Sequence, residues 1–183
     1  MPGAAGEKRA LRPTPDAVNP GGGVPLRIRP IRPEDAPAYA EFIGRIAPED
    51  LRMRFDRGMP ARDLARYTEI DPEHESAFVA VAPEAPDEIL GEVRVYCFPD
   101  GETAEFAILV RSDAQRRGIG RALLREAIDY SRSRGAKALI GQMRPDNEAM
   151  IGLARALGMA VEQVPGASFA VAHLDLKRPA RCR

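Results

Sequence analysis

A chain of 183 residues is long enough for one domain with a substantial core and short for two. Its 27 basic residues balance 27 acidic ones, aromatic residues make up 5% and Trp is absent, which speaks against a general nucleic-acid-binding protein. No apolar run approaches a membrane span, no signal-peptide core opens the chain, and two cysteines (Cys97, Cys182) and two histidines (His74, His173) far apart in sequence point to neither a disulfide framework nor a metal site, so a cytoplasmic protein without a metal is expected.

Residues 1–24 are rich in Pro, Gly and Ala and read as a disordered leader, because such a composition buries too little surface to offset chain entropy. Alternation of apolar and basic residues predicts a first strand over 26–32, and Pro33 with two acidic neighbours opens a helix over 33–46. Two short helical pieces follow, at 48–55 and 61–70, separated by the breakers Gly58 and Pro60. Strands are expected at 76–82 and 89–98, joined by a loop at 83–88, and then at 103–110 after a hairpin turn at Pro99-Asp100-Gly101. A helix runs to Ser133 or Arg134 and closes at Gly135. A strand over 136–143, a helix over 146–157 stopped by Gly158, and strands at 159–164 and 168–176 around Pro165-Gly166-Ala167 complete the pattern. Residues 178–183 are expected to form a flexible basic tail, and 25–177 one mixed α/β domain around a single sheet.

The corner between the strand "EFAILV" and the helix after it reads "SDAQRRGIGRALL". Glycines at 118 and 120 let backbone approach a ligand closely where a helix begins, and helix N-termini present unpaired N–H groups and partial positive charge. With Arg116, Arg117 and Arg121 alongside, the corner suits a pyrophosphate. It lacks the Gly-Lys-Ser/Thr of a Walker loop and the third glycine of the dinucleotide fingerprint.

Val110 followed by Gln115-Arg116-Arg117-Gly118-Ile119-Gly120 resembles the acyl-CoA signature Gln/Arg-x-x-Gly-x-Gly/Ala of the GNAT superfamily of N-acetyltransferases. The order of elements from Leu26 to Leu176 is similar to that family, and "EDLRMRF", "EFAILV" and "RGAKALIGQM" look most like the acetyltransferase domain of bacterial Pat-type protein lysine acetyltransferases. The resemblance implies an α/β (α+β) GNAT fold, with a mixed, mostly antiparallel sheet of six to seven strands flanked by about four helices. It implies acetyl-CoA as co-substrate, with its pyrophosphate at Gln115, Arg116, Arg117, Gly118, Ile119, Gly120 and Arg121. The pantetheine arm would then lie along the backbone of Ile108, Leu109 and Val110, with Asn147 touching the cofactor; a plain helix cap is the other reading of that asparagine.

The reaction so implied is direct attack of an amine on the thioester, which requires the amine to lose a proton first. Glu105 matches the position of the family's frequent catalytic glutamate. Period-two alternation puts it on one face with Ala107 and Leu109, an apolar setting that would raise its pKa. Glu92 is the second candidate base, although the hairpin register sets it farther from the turn than Glu105, so direct pairing of the two is not expected. Many relatives carry a tyrosine seven or eight residues after the asparagine as general acid; here Ala154 stands in that place, and Tyr130 is read as packing on its own helix.

Seven acidic residues and only Arg94 among the bases lie between Glu84 and Glu105, whereas seven basic residues lie between Arg116 and Lys137. If the first segment borders the acceptor, it favours a cationic amine such as a protein lysine; small amines such as polyamines or aminoglycosides are the close variant. A non-catalytic acyl-CoA-binding regulator is the competing class, and the expected assembly is a monomer or homodimer with no nucleic-acid or membrane partner.

Overall fold

The computed structural model describes residues 25–54 and 67–177. Seven strands form one sheet in the order β1-β2-β3-β4-β5-β7-β6. They are β1 (Arg27–Pro30), β2 (Glu75–Ala82), β3 (Ala85–Cys97), β4 (Thr103–Val110), β5 (Ala138–Met143), β6 (Ala160–Gln163) and β7 (Ala170–Asp175). Every pairing is antiparallel except that of β4 with β5. Among the described residues four α-helices flank the sheet: α1 (Ala36–Gly44), α2 (Pro48–Arg54), α3 (Ile119–Ser133) and α4 (Glu148–Ala156). The expected mixed sheet and helices are therefore present. The leader, the tail and most of the helix expected over 61–70 fall outside the described residues.

Two sequence expectations shift. The helix predicted from residue 33 starts as a single 3-10 turn, Pro33–Asp35, before α1 takes over. Asp35 holds that start: its carboxylate accepts from the Arg32 N–H at 2.8 Å and forms a two-pronged pair with Arg29 at 2.7 and 2.8 Å. The loop expected over 83–88 shrinks to a two-residue turn, because Ala82 already faces Ala85. The surplus residues are absorbed as a bulge, with Val81 facing Ile89, and Pro86, which has no N–H to give a ladder, falls inside it.

Alternation along the strands makes two apolar faces. Ala80, Val93, Val95, Ala104, Phe106 and Leu139 turn toward α3 and α4, which contribute Leu123, Leu124, Ala127 and Ala154. On the other face, Val79, Val81, Ile89 and Leu109 meet Tyr39 and Phe42 of α1. Tyr130 does more than pack on its helix. Its ring meets Phe78 edge-on and its hydroxyl hydrogen-bonds Ser76 Oγ at 2.5 Å, seating α3 on β2.

Candidate active site

β4 and β5 run parallel and in register only over Thr103–Glu105 against Ala138–Ile140, although both strands continue beyond. From Phe106 to Val110, β4 keeps its bonds to β3, with Val110 still opposite Gly91, while its other edge has left β5. Alternate backbone groups of Ile108, Leu109 and Val110 are thus open to the gap, a ready template for a ligand that carries amides. On the α3 side, the Phe106 ring lies across the β5 backbone at Gly141, where any Cβ would overlap it.

The gap leads upward into the corner. After Val110 a 3-10 turn at Ser112–Ala114 reverses the chain, Arg116 takes the left-handed conformation at φ 61°, and Gly118 takes it again at φ 83° as N-cap of α3. Left-handed residues in so tight a turn gather successive N–H groups into an anion-binding concavity. Among the described residues, the backbone N–H groups from Gln115 to Arg121 meet no acceptor. These unmet donors, the positive end of the fifteen-residue α3, and Arg116, Arg117 and Arg121 fit a pyrophosphate. The Gln115 side chain points elsewhere: its amide donates to Asp50 Oδ2 of α2 at 2.9 Å. Asn147 caps α4, its Oδ1 accepting from the Met150 N–H at 3.1 Å.

Glu105 stands at the apex of the gap, on the last residue paired to β5. It is half-buried and has no hydrogen-bond partner among the described residues; burial raises its pKa above the usual carboxylate range, partly offset by the positive charge of Arg54. Register places Glu75 (β2), Tyr96 (β3) and Glu105 in one row across the face that carries α1. Ala107 and Leu109 share that face, as the alternation predicts.

Glu92 has a different environment. It lies opposite Leu109, well along the strands from Glu105, and is 3% exposed. Tyr39 donates its hydroxyl to Glu92 Oε2 at 2.8 Å, and Arg94 Nε lies 2.6 Å from Oε1, an ion pair whose alignment falls outside hydrogen-bond geometry. Arg94, itself 2% exposed, also pairs with Glu75, donates to the Tyr67 carbonyl and sits 4.8 Å from the Tyr67 ring centroid. Burial works against its charge, but Glu92, Tyr39 and Glu75 outweigh it and raise its pKa. The two candidate bases thus separate into an accessible carboxylate and a buried, ion-paired one.

The acidic excess between Glu84 and Glu105 does not form one acceptor-facing patch, because β3 carries that segment along the whole length of the sheet. Glu88 bonds Arg45 at 2.6 Å and Arg111 at 2.5 Å beside the corner, Glu92 is buried on Arg94, Asp100 braces its own turn, and Glu102 pairs with Lys137. Sequence reasoning also missed Arg111, 7% exposed, which joins Glu88 to Asp113 and secures the corner. Only its place next to the corner motif hinted at that role.

The acetyltransferase (GNAT) family model matches residues 41–159, which span the gap, the corner and α4. This chain belongs to that family. The GNAT chain is 32% identical over 154 residues to acetyltransferase PA5475 of Pseudomonas aeruginosa, covering 80% of this chain and 81% of that one. The GNAT domain of S. lividans PAT superposes with a TM-score of 0.77 at 25% identity, over 87% of this chain and 95% of the other. The structure of yncA from Salmonella typhimurium with its cofactor acetyl-CoA shares the fold at a TM-score of 0.65 and 20% identity, over 86% and 99% of the two chains. No helix among the described residues of this GNAT protein is long and apolar enough to cross a membrane, and none of their side chains cluster as a metal site.

Proposed function

We propose that this GNAT protein is an acyl-CoA-dependent N-acetyltransferase that moves an acetyl group from acetyl-CoA to a primary amine, most suitably a lysine side chain of a protein. The observation that carries the reading is the parting of β4 from β5 just after Glu105, leading directly into a corner of unmet N–H groups. The pyrophosphate is held at Gln115, Arg116, Arg117, Gly118, Ile119, Gly120 and Arg121, with Asn147 at the flank. The arm runs along Ile108, Leu109 and Val110, which brings the thioester to the level of Glu105.

The acceptor arrives as an ammonium, since a lysine amine has a reference pKa of about 10.4. Glu105, partly desolvated and without a competing hydrogen-bond partner among the described residues, takes its proton directly or through one water. The amine nitrogen then attacks the thioester carbonyl carbon, whose oxygen is polarised by a β4 N–H, and the amide forms as the C–S bond breaks. As the amide forms, the nitrogen sheds its second proton, which passes through water to the departing thiolate; α4 offers no tyrosine for that transfer, because Ala154 stands in its place with a side chain that has no proton to give. Tyr96, in the row beside Glu105, supplies an oxygen suited to a cationic side chain, while Glu75 in the same row is already paired with Arg94. The same Ala154 favours the alternative of a non-catalytic acyl-CoA-binding regulator, working in the cytoplasm as monomer or homodimer.

Calorimetric titration with acetyl-CoA, beside an Arg117→Glu/Gly118→Glu double variant, tests the cofactor assignment. Micromolar binding that the variant abolishes is expected, and no binding by the folded wild type overturns the reading. An acceptor screen on lysine peptides, polyamines and aminoglycosides then separates the acceptors. If Glu105→Gln binds acetyl-CoA and turns over as fast as wild type on the best acceptor, Glu105 is not the base; if wild type turns over none, the regulatory reading prevails.

A further inference from the structure

One carboxylate oxygen ties the cofactor corner to a helix on the other side of the candidate site. Asp50 Oδ2 accepts from the Gln115 side-chain amide at 2.9 Å and from the Ser112 hydroxyl, and that hydroxyl in turn accepts the Ala47 N–H at 2.8 Å. Ser112 and Gln115 flank the turn in which the unmet N–H groups begin. Asp50 lies in α2, a helix of seven residues or about 10 Å that packs beside β4. The far end of that helix brings the Arg54 charge into range of Glu105 and Tyr96. A single short helix packed beside β4 therefore hydrogen-bonds the corner through Asp50 and carries at its other end a charge that acts on Glu105.

We propose that Asp50 is a positioning residue, which couples the shape of the pyrophosphate corner to the placement of α2 beside Glu105. Gln115 and Ser112 act as the two struts of this tie, and the Gln115 side chain contributes to cofactor binding through Asp50 rather than by contact with phosphate. The inference rests on the acetyl-CoA reading above. Coupling between two sites is reciprocal: whatever affinity the intact tie adds for acetyl-CoA, bound acetyl-CoA must return as stability of the tie. A carboxylate that only props up the fold carries no such equality.

Acetyl-CoA titration and fragment-resolved hydrogen exchange, on wild type, Asp50→Ala, Asp50→Asn and Gln115→Ala, test the proposal without a known acceptor. Loss of one or two hydrogen bonds that shape the corner weakens acetyl-CoA binding about three- to ten-fold. In wild type, saturating acetyl-CoA slows exchange of the α2 amides by the same factor; in Asp50→Ala the corner amides still slow on binding and the α2 amides do not. The Gln115→Ala variant removes one strut from the opposite side of the tie, so it shows the smaller loss of both quantities even if Asp50→Ala fails to fold. Unchanged α2 exchange in cofactor-saturated wild type overturns the coupling, and so does equal slowing in the variants. A wild type that does not bind acetyl-CoA instead overturns the functional reading on which the coupling rests.

Discussion

Glu105 and Glu92 show how environment divides two carboxylates on one sheet face. Glu105 is half-buried with no hydrogen-bond partner among the described residues, and burial raises its pKa, which suits it to accept a proton. On the proposed mechanism Glu105→Gln lowers kcat by about 10²- to 10⁴-fold with acetyl-CoA affinity kept. In wild type, kcat/KM falls on the acid side through an ionisation above the ordinary glutamate range. The sign for stability is opposite: a raised folded-state pKa means a contribution present at low pH and lost as pH rises through that value. Melting temperatures of wild type and Glu105→Gln should therefore agree near pH 4, with the variant higher at pH 7 to 8. Glu92, held by Tyr39 and Arg94, answers to stability instead. Replacing Arg94 by Met leaves Glu92 and Glu75 as uncompensated charges at the sheet surface under Tyr67 and Tyr39. A loss of about 3 to 5 kcal/mol in denaturant unfolding is expected.

At the level of elements, the proposed role of the corner depends on α3 starting without a side-chain cap. Gly118 serves as N-cap at φ 83° and Arg116 is left-handed just before it, so the first N–H groups of the helix remain for a ligand. Gly118→Val puts a β-branched side chain into a conformation that costs even ordinary residues about 1 to 2 kcal/mol. Stability should fall by at least that amount in chemical denaturation, and acetyl-CoA affinity should fall with it as the turn relaxes. Arg111, buried between Glu88 and Asp113, braces the same corner from the α1 side, where Arg45 completes the ion-pair group. The strand-to-helix corner was legible because glycines between an apolar strand and a helical spacing mark a tight turn into a helix. Asp50, Glu88 and Arg111 were not legible, because each works with a partner distant in sequence.

Across the whole molecule, the gap depends on β4 and β5 staying paired at one end and apart at the other. The close approach of Phe106 to Gly141 marks where they part. Gly141→Ala forces that ring to move, and overpacking of this kind costs about 1 to 3 kcal/mol. The expected readout is a lower melting temperature together with weaker acetyl-CoA binding, since the ring can shift only into neighbouring core or toward the gap. A variant that melts earlier but binds as wild type would separate the two consequences.

Local pattern alone determined much of this protein. Alternation and helical spacing placed the described strands and helices to within a few residues, Gly135 and Gly158 ended α3 and α4, and the hairpin turn at 99–101 formed where Pro, Asp and Gly cluster. These are short-range consequences of dihedral freedom and of which side chains shun water. Tertiary structure alone decided where β4 leaves β5, which glutamate is buried and ion-paired, and which side chains grip the corner. Each of those depends on strand register or on contacts between residues as far apart as Asp50 and Gln115. Electrostatic and steric outcomes are set by what lies within a few ångströms in space, and a one-dimensional pattern does not carry that information.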